Sequence, residues 1–388
     1  MPRAAGLLPA GLDLAGLRRS LLAWYRRNAR RLPWRDDPQP WAVLVSEMML
    51  QQTQVATVLP YWRRFMQRWP SPRALARAPL DQVLAAWAGL GYYRRARYLH
   101  AAAQVLAARG GFPDSVEGLR NLPGLGDYAA AAVASISMGL PVAVVDGNVV
   151  RVASRLLALE ADPTREPGKS ELRAAAQALL APQEPGDWNQ AMMDLGAMVC
   201  SPERPGCPLC PLARHCRAAA QGDPEAYPRL PKRAAATARS EVAALALARQ
   251  GKCLLALVRP RGKGEAGPGE LEGYWAFPSA EAEALHPAEQ AAGLLRQALG
   301  LKRLPPAEPL KPFSRSITRW RISTQALRFV FGPAPAAKAP WQWVEAKALA
   351  KRPLAAGEKR ILEQGLASLE LGGAKLGKKG QQQMELGL

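Results

Sequence analysis

The sequence predicts an all-α domain over residues 12–217 followed by an α+β domain over 238–370. Three observations carry this. Apolar residues recur three and four apart through the first half, as at Leu75, Ala78, Leu84 and Trp87. Four of the five cysteines crowd into residues 200–216. From Glu241 the texture changes to short apolar runs bounded by turn residues. A chain of 388 residues is also too long for one ordinary core.

In the first domain, breaks fall at Leu32-Pro33, Trp69-Pro70, Gly89-Leu90-Gly91, Leu122-Pro123-Gly124 and Pro182 to Gly186, giving about ten helices and no strand. Residues 218–237 are rich in Ala, Arg and Pro and read as a linker. Beyond it, Val242–Ala248, Cys253–Val258, Ser316–Ser323 and Leu327–Phe331 read as strands and 286–299 as a helix. Residues 371–388, rich in Gly, Lys and Gln, read as a disordered tail.

The formal net charge is +20, which speaks of partners and not of fold, and nucleic acid is the commonest polyanion. Pro9, Gly11 and Asp13 break the N-terminus too early for an export signal. Ala129–Val145, with Ser135, Ser137, Gly139 and Pro141, is too short and interrupted to span a membrane. The expectation is a monomeric cytoplasmic protein, bacterial in source, with no membrane partner.

Cys200, Cys207, Cys210 and Cys216 have the spacing C-x6-C-x2-C-x5-C. Zinc sites usually set two close pairs apart by a longer segment. Here one compact loop bent by Pro202, Pro205, Pro208 and Pro211 holds all four, which favours a four-thiolate iron–sulfur cluster over zinc. Cys253 stands alone and reads as an ordinary apolar strand residue.

Leu122-Pro123-Gly124-Leu125-Gly126 lies between helices starting near Asp114 and Asp127. Gly124 and Gly126 leave backbone N–H groups uncovered, and with the next helix N-terminus these can hold a phosphate. Asp146, after an apolar run, suits a helix N-cap. Glu47 sits alone in the apolar helix Val43–Leu50, where burial would raise its pKa towards that of a general acid. Two carboxylates in unlike surroundings suit cleavage of a glycosidic bond: one gives a proton to the leaving group, the other stabilises an oxocarbenium-like sugar.

These residues resemble the MutY-type adenine DNA glycosylases of the endonuclease III superfamily. The resemblance rests on Leu32–Arg35, Ser46–Val55, Gly89–Tyr93, Leu122–Gly126, Val145–Val152, Asn189–Gly196 and the cysteine loop, and runs from about residue 15 to 217. It implies a two-lobed helix-hairpin-helix glycosylase with a [4Fe–4S] cluster on the four cysteines. The substrate it implies is double-stranded DNA with adenine opposite 8-oxoguanine or guanine, the adenine flipped into a pocket. By the same resemblance Glu47 is the acid, Asp146 the sugar stabiliser and Asn148 its support. Trp34, Arg35, Leu50 and Gln190 match the adenine pocket. Gln52 and Tyr92 match residues that wedge into the stack beside the damaged guanine. Pro123, Gly124 and Gly126 match the DNA-holding hairpin. For Trp34, Leu50 and Tyr92, plain helix packing is the competing reading.

Relatives that also cut the strand carry a lysine at the position of Tyr128, to form a Schiff base. A phenol cannot, so a monofunctional enzyme is expected. The rival is a bifunctional endonuclease III-like glycosylase and lyase.

A weaker resemblance, over about 240–370, is to the family's Nudix-like 8-oxoguanine reader, through Gly273–Pro278. Residues 291–300 lack the acidic metal helix, so no nucleotide hydrolysis is expected. The family's Phe-Ser-His reading loop appears as Phe313-Ser314-Arg315, leaving Arg315 to contact phosphate instead. The last six residues, Gln383 to Leu388, resemble peptides that bacterial repair enzymes insert into the replication sliding clamp.

Overall fold

The computed structural model describes residues 8–231, 236–260, 274–283, 286–317, 320–349, 352, 354–367 and 369. The chain forms two compact units, Met1–Lys232 and Arg233–Leu388. The expected tail and Gly273 lie outside the described residues.

The first unit is helical: α1 (Leu14–Asn28), α2 (Pro33–Asp36), α3 (Pro40–Leu50), α4 (Val55–Arg68), α5 (Pro72–Ala76), α6 (Leu80–Ala86), α7 (Arg94–Arg109), α8 (Val116–Arg120), α9 (Asp127–Met138), α10 (Gly147–Leu157), α11 (Gly168–Leu179), α12 (Pro185–Met198) and α13 (Arg217–Ala220). That exceeds the expected number because α2, α5, α8 and α13 span only four or five residues, too few to show a periodicity. Local chemistry sets the ends. Asp13, Ser71 and Ser115 accept from backbone N–H groups at helix starts, and Gly110 and Gly139 end helices in the left-handed region.

One core joins α1, α10, α11 and α12 through Leu17, Leu21, Val152, Leu156, Leu172 and Trp188. On the other side, α3 packs against α4, α7 and α9. It is buried on every side from Trp41 to Met49, so Glu47 stands in apolar surroundings. Phe65 of α4 meets Trp69 and Trp87 edge-on, with centroids 4.7 and 6.1 Å away.

Residues 218–231 depart from the linker expected there. Ala218 and Tyr227 are buried, and Tyr227 donates to Glu160 at 2.5 Å. An apolar residue and an aromatic in a polar stretch anchor that stretch to the helical unit.

The second unit is an α+β fold around a mixed eight-stranded sheet. Its strands are β1 (Thr237–Gln250), β2 (Cys253–Pro260), β3 (Trp275–Ala276), β4 (Ser279–Glu281), β5 (Glu308–Pro309), β6 (Phe313–Ile317), β7 (Trp320–Phe331) and β8 (Gln342–Glu345); its helices are α14 (Pro287–Leu299), α15 (Ala346–Leu349) and α16 (Ala356–Ala367). β1 runs parallel to β7, Thr237 opposite Trp320 through Ala248 opposite Phe331. Alternate residues of β1 feed two cores. Ala243, Leu245 and Leu247 join Ile361 and Leu362, while Val242, Ala244 and Ala246 join Ala291 and Leu295. The expected strand Ser316–Ser323 is in fact divided between β6 and β7, which pair antiparallel with Ile317 opposite Trp320. The sequence between them carries no Gly, Pro, Asn or Asp to mark a boundary.

Candidate active site

Glu47 lies on the last turn of α3 with 5% of its surface exposed. Tyr128, on the first turn of α9, donates its hydroxyl to Glu47 Oε2 at 2.6 Å. Burial pushes the Glu47 carboxyl up to about 7; the Tyr128 hydrogen bond pulls it down, nearby Asp146 raises it and Arg35 lowers it. Burial and Glu47 hold the Tyr128 phenol well above its ordinary range. Glu47 can therefore carry a dissociable proton near neutral pH, with an anion close by.

That anion is Asp146, the N-cap of α10. Its Oδ1 accepts from the Val149 N–H at 2.7 Å and its Oδ2 from Asn148 Nδ2 at 2.9 Å. The helix dipole favours negative charge at this end. Asn148 is fixed in turn: Arg151 donates to its Oδ1 at 2.9 Å and to the carbonyls of Gly196 and Cys200, each at 2.7 Å. A Cβ on Gly196 would stand 2.5 Å from Asn148 Cβ, so only glycine allows this approach. The segment leading to Asp146 is strapped by buried Asn189. It donates to Val142 O at 2.8 Å and Ser135 Oγ at 2.9 Å and accepts from Val144 N at 3.0 Å.

Behind Glu47 lies a charge network. Asp194, fully buried on α12, accepts from Arg35 at 2.7 and 3.0 Å and from Arg30 Nε at 2.9 Å. Burial acts to raise the Asp194 carboxyl, but the hydrogen bonds and charges of Arg35 and Arg30 hold it below the usual range. Arg35 also lies over the Tyr25 ring, 5.7 Å from its centroid.

The hairpin residues 122–126 join α8 to α9. Gly124 has φ +79°, and a Cβ there would stand 2.5 Å from Tyr98. Gly126 is the N-cap of α9, and Pro123 and Gly124 form the centre of the turn closed by the Leu125 N–H donating to Leu122 O at 3.1 Å. Asp127 is bridged by Arg120 at 2.7 Å and Arg173 at 2.6 Å.

Residues 45–181 match the family model for the HhH-GPD superfamily base excision DNA repair protein. The matched residues lie within the helical unit. Adenine DNA glycosylase of Rattus norvegicus is 48% identical over 217 residues, covering 53% of this chain and 42% of the rat protein. That of Mycobacterium tuberculosis is 46% identical over 197 residues, covering 50% of this chain and 64% of its own length. The chain thus spans less than two thirds of these relatives. The structure of a thermostable thymine-DNA glycosylase aligns at 24% identity and a TM-score of 0.49, over 53% of this chain and 98% of that one. Relatives come from mammals, a plant, a fungus and bacteria, so the expected bacterial source gains no support.

In the helical unit, Trp34 and Gln190 are buried and Leu50 is half-buried. Trp34 packs on Trp62 with centroids 5.5 Å apart. Gln52 and Tyr92 are exposed, Tyr92 by 53%, so helix packing does not account for that tyrosine.

Cys200, Cys207, Cys210 and Cys216 line one pocket with Arg155 and Val199. Arg155 Nη1 lies 3.3 Å from Cys200 Sγ, and its other contacts are to the carbonyls of Ser201, Pro202 and Tyr227. Backbone amides of Leu212, Ala218 and Ala219 face the sulfurs of Cys210 and Cys216. This donor set suits thiolates on a cationic centre. Among the described residues, no three His, Cys, Asp or Glu side chains converge as a single metal ion requires.

In the second unit, Phe313 is buried in the core, under the Arg360 guanidinium, and so does not present an open ring. Ser314 is exposed and shares a hydrogen bond with Ser323 across the strand pair at 3.0 Å. Arg315 does not reach outward as expected. It donates to Thr324 on the neighbouring strand β7 at 3.0 Å and, one strand further, to the Glu241 carboxylate on β1 at 2.8 Å. Cys253 opens β2 but is exposed.

Sequence reading missed Arg95, Arg151, Arg155, Asn189 and Asp194 as organising residues. Asp194 had a visible signal, a lone carboxylate between Met193 and Leu195. Each of the others is also held by partners remote in sequence, such as Met48 for Arg95 and Gly196 for Arg151, which leave no local signal.

Proposed function

We propose that the protein excises adenine from duplex DNA, where adenine is paired with 8-oxoguanine or guanine, by hydrolysing the N-glycosidic bond. The observation that carries this reading is Glu47: a buried carboxyl raised to about 7, hydrogen-bonded by Tyr128 and coupled to Asp146. The pairing meets the demands of glycoside cleavage. Glu47 gives its proton to the departing base at N7. The Asp146 carboxylate, held by Asn148 and the α10 N-terminus, stabilises the cationic sugar until water adds. Trp34, Arg35, Leu50 and Gln190 enclose the base, and Gln52 and Tyr92 enter the stack beside the opposing guanine. Pro123, Gly124 and Gly126 hold the backbone. Tyr128 offers no amine, so the reaction ends at the abasic site.

Cys200, Cys207, Cys210 and Cys216 would hold a [4Fe–4S] cluster, which would supply a fixed local charge and a covalent staple for the loop. The second unit is a Nudix-like reader of 8-oxoguanine using Ser314, without nucleotide hydrolysis. The C-terminal tail tethers the enzyme to the sliding clamp. Chromatographic detection of free adenine released from a duplex holding adenine opposite 8-oxoguanine tests the reaction; release of another base instead would redirect the assignment.

A further inference from the structure

Arg95 of α7 is buried, yet its guanidinium ties together two segments distant in sequence. Nη1 donates to the carbonyls of Met48 at 3.0 Å, Met49 at 2.7 Å and Gln51 at 2.5 Å. Nη2 donates to Thr53 Oγ1 at 3.1 Å and to the carbonyls of Leu90 and Gly91, each at 3.2 Å. The carbonyls in the last turn of a helix have no intrahelical partner, and a cation there meets the negative end of the dipole. Arg95 thus closes the last turn of α3, its first contact falling one residue after Glu47.

Each tied segment carries a non-glycine residue at positive φ: Gln52 at 57° and Tyr92 at 48°. Such backbone is strained and persists only where its surroundings hold it. Both side chains are exposed. The guanidinium also lies 5.4 Å from the Tyr92 ring centroid and 5.6 Å from that of Trp87.

We propose that Arg95 is a positioning residue that makes the Gln52 loop, the Tyr92 loop and the Glu47 turn of α3 one rigid piece. Entry of Gln52 and Tyr92 into the base stack then fixes where Glu47 stands against the extruded base. This rests on the adenine-excision reading above. The planar fork matters as much as the charge: a lysine ammonium cannot span both loops.

The test is a double-mutant cycle with Arg95→Lys and Tyr92→Ala. Single-turnover adenine release is measured on a duplex holding adenine opposite 8-oxoguanine. Fluorescence of 2-aminopurine next to the lesion reports local unstacking on binding, and thermal denaturation reports folding. Arg95→Lys is expected to slow release by on the order of 10²-fold, as for a slightly misplaced catalytic group. It should also blunt the fluorescence rise, and cost far less when Tyr92 is already alanine. Release within about threefold of the parent rate, or full additivity with Tyr92→Ala, overturns the proposal. If Arg95→Lys fails to fold, Thr53→Val, which removes a single contact on the Gln52 side, replaces it in the same cycle under the same criterion. A parent protein that releases no adenine sinks the excision reading itself. A parent that releases adenine, with Arg95 variants that match it, sinks only the role of Arg95.

Discussion

Tyr128 donates its hydroxyl to Glu47 at 2.6 Å, and the two residues stand 81 positions apart in the chain. A hydrogen bond to a carboxylate favours its ionised form. Tyr128 therefore tempers the larger effect of burial, which raises Glu47 to about 7. Excision that needs Glu47 protonated should decline as pH rises through about 7. Removing the hydroxyl in Tyr128→Phe should move that decline to higher pH. Single-turnover rates across pH for both proteins check this; an unmoved or downward-shifted limb contradicts it.

Glu47→Gln should lose on the order of 10²–10⁴ in excision rate while keeping duplex affinity, because only the proton donor is removed. Stability should move the other way. The native protein keeps the Glu47 proton up to about 7, whereas the unfolded chain gives it up near 4.5. The stability that this proton supplies is complete below 4.5 and is lost as pH rises to about 7. At pH above that window, Glu47→Gln should gain on the order of 3 kcal/mol. Denaturant melts at acidic and alkaline pH measure it, and an equal effect at both refutes the linkage.

Asp194 neutralises Arg35 and Arg30 from a fully buried position. Removing one partner of a buried pair leaves the other charge uncompensated, at a cost of about 3–5 kcal/mol. Asp194→Asn should therefore be strongly destabilised, with a melting temperature well below that of an exposed control such as Glu117→Gln. A melt like that of the control would show the pair to be dispensable.

The cysteine pocket should carry iron. Protein purified without oxygen should be brown, absorb broadly at the blue end of the spectrum, and yield iron rather than zinc on metal analysis. Stoichiometric zinc with no iron would overturn the cluster.

Much of the site was legible from local chemistry. Glu47 stood out as one acid in an apolar run, and Asp146 as an N-cap candidate after another. The hairpin was legible because Gly124 must adopt positive φ. Contacts remote in sequence were not legible. Arg35 and Asp194 meet across 159 positions, and Arg95 reaches Met48 across 47. The parallel pairing of β1 with β7 is likewise absent from any local pattern. Arg315 shows the same limit: its outward role was inferred from its place in the Phe313-Ser314-Arg315 loop, but Glu241 on another strand decides where it points.

The central claim is adenine excision that stops at the abasic site. A strand-labelled duplex holding adenine opposite 8-oxoguanine, incubated with the protein and split into halves with and without alkali, tests it most directly. Cleavage at the adenine position is expected only after alkali, and none in the Glu47→Gln protein. An intact strand in both halves, or scission without alkali together with a borohydride-trapped covalent adduct, would contradict it.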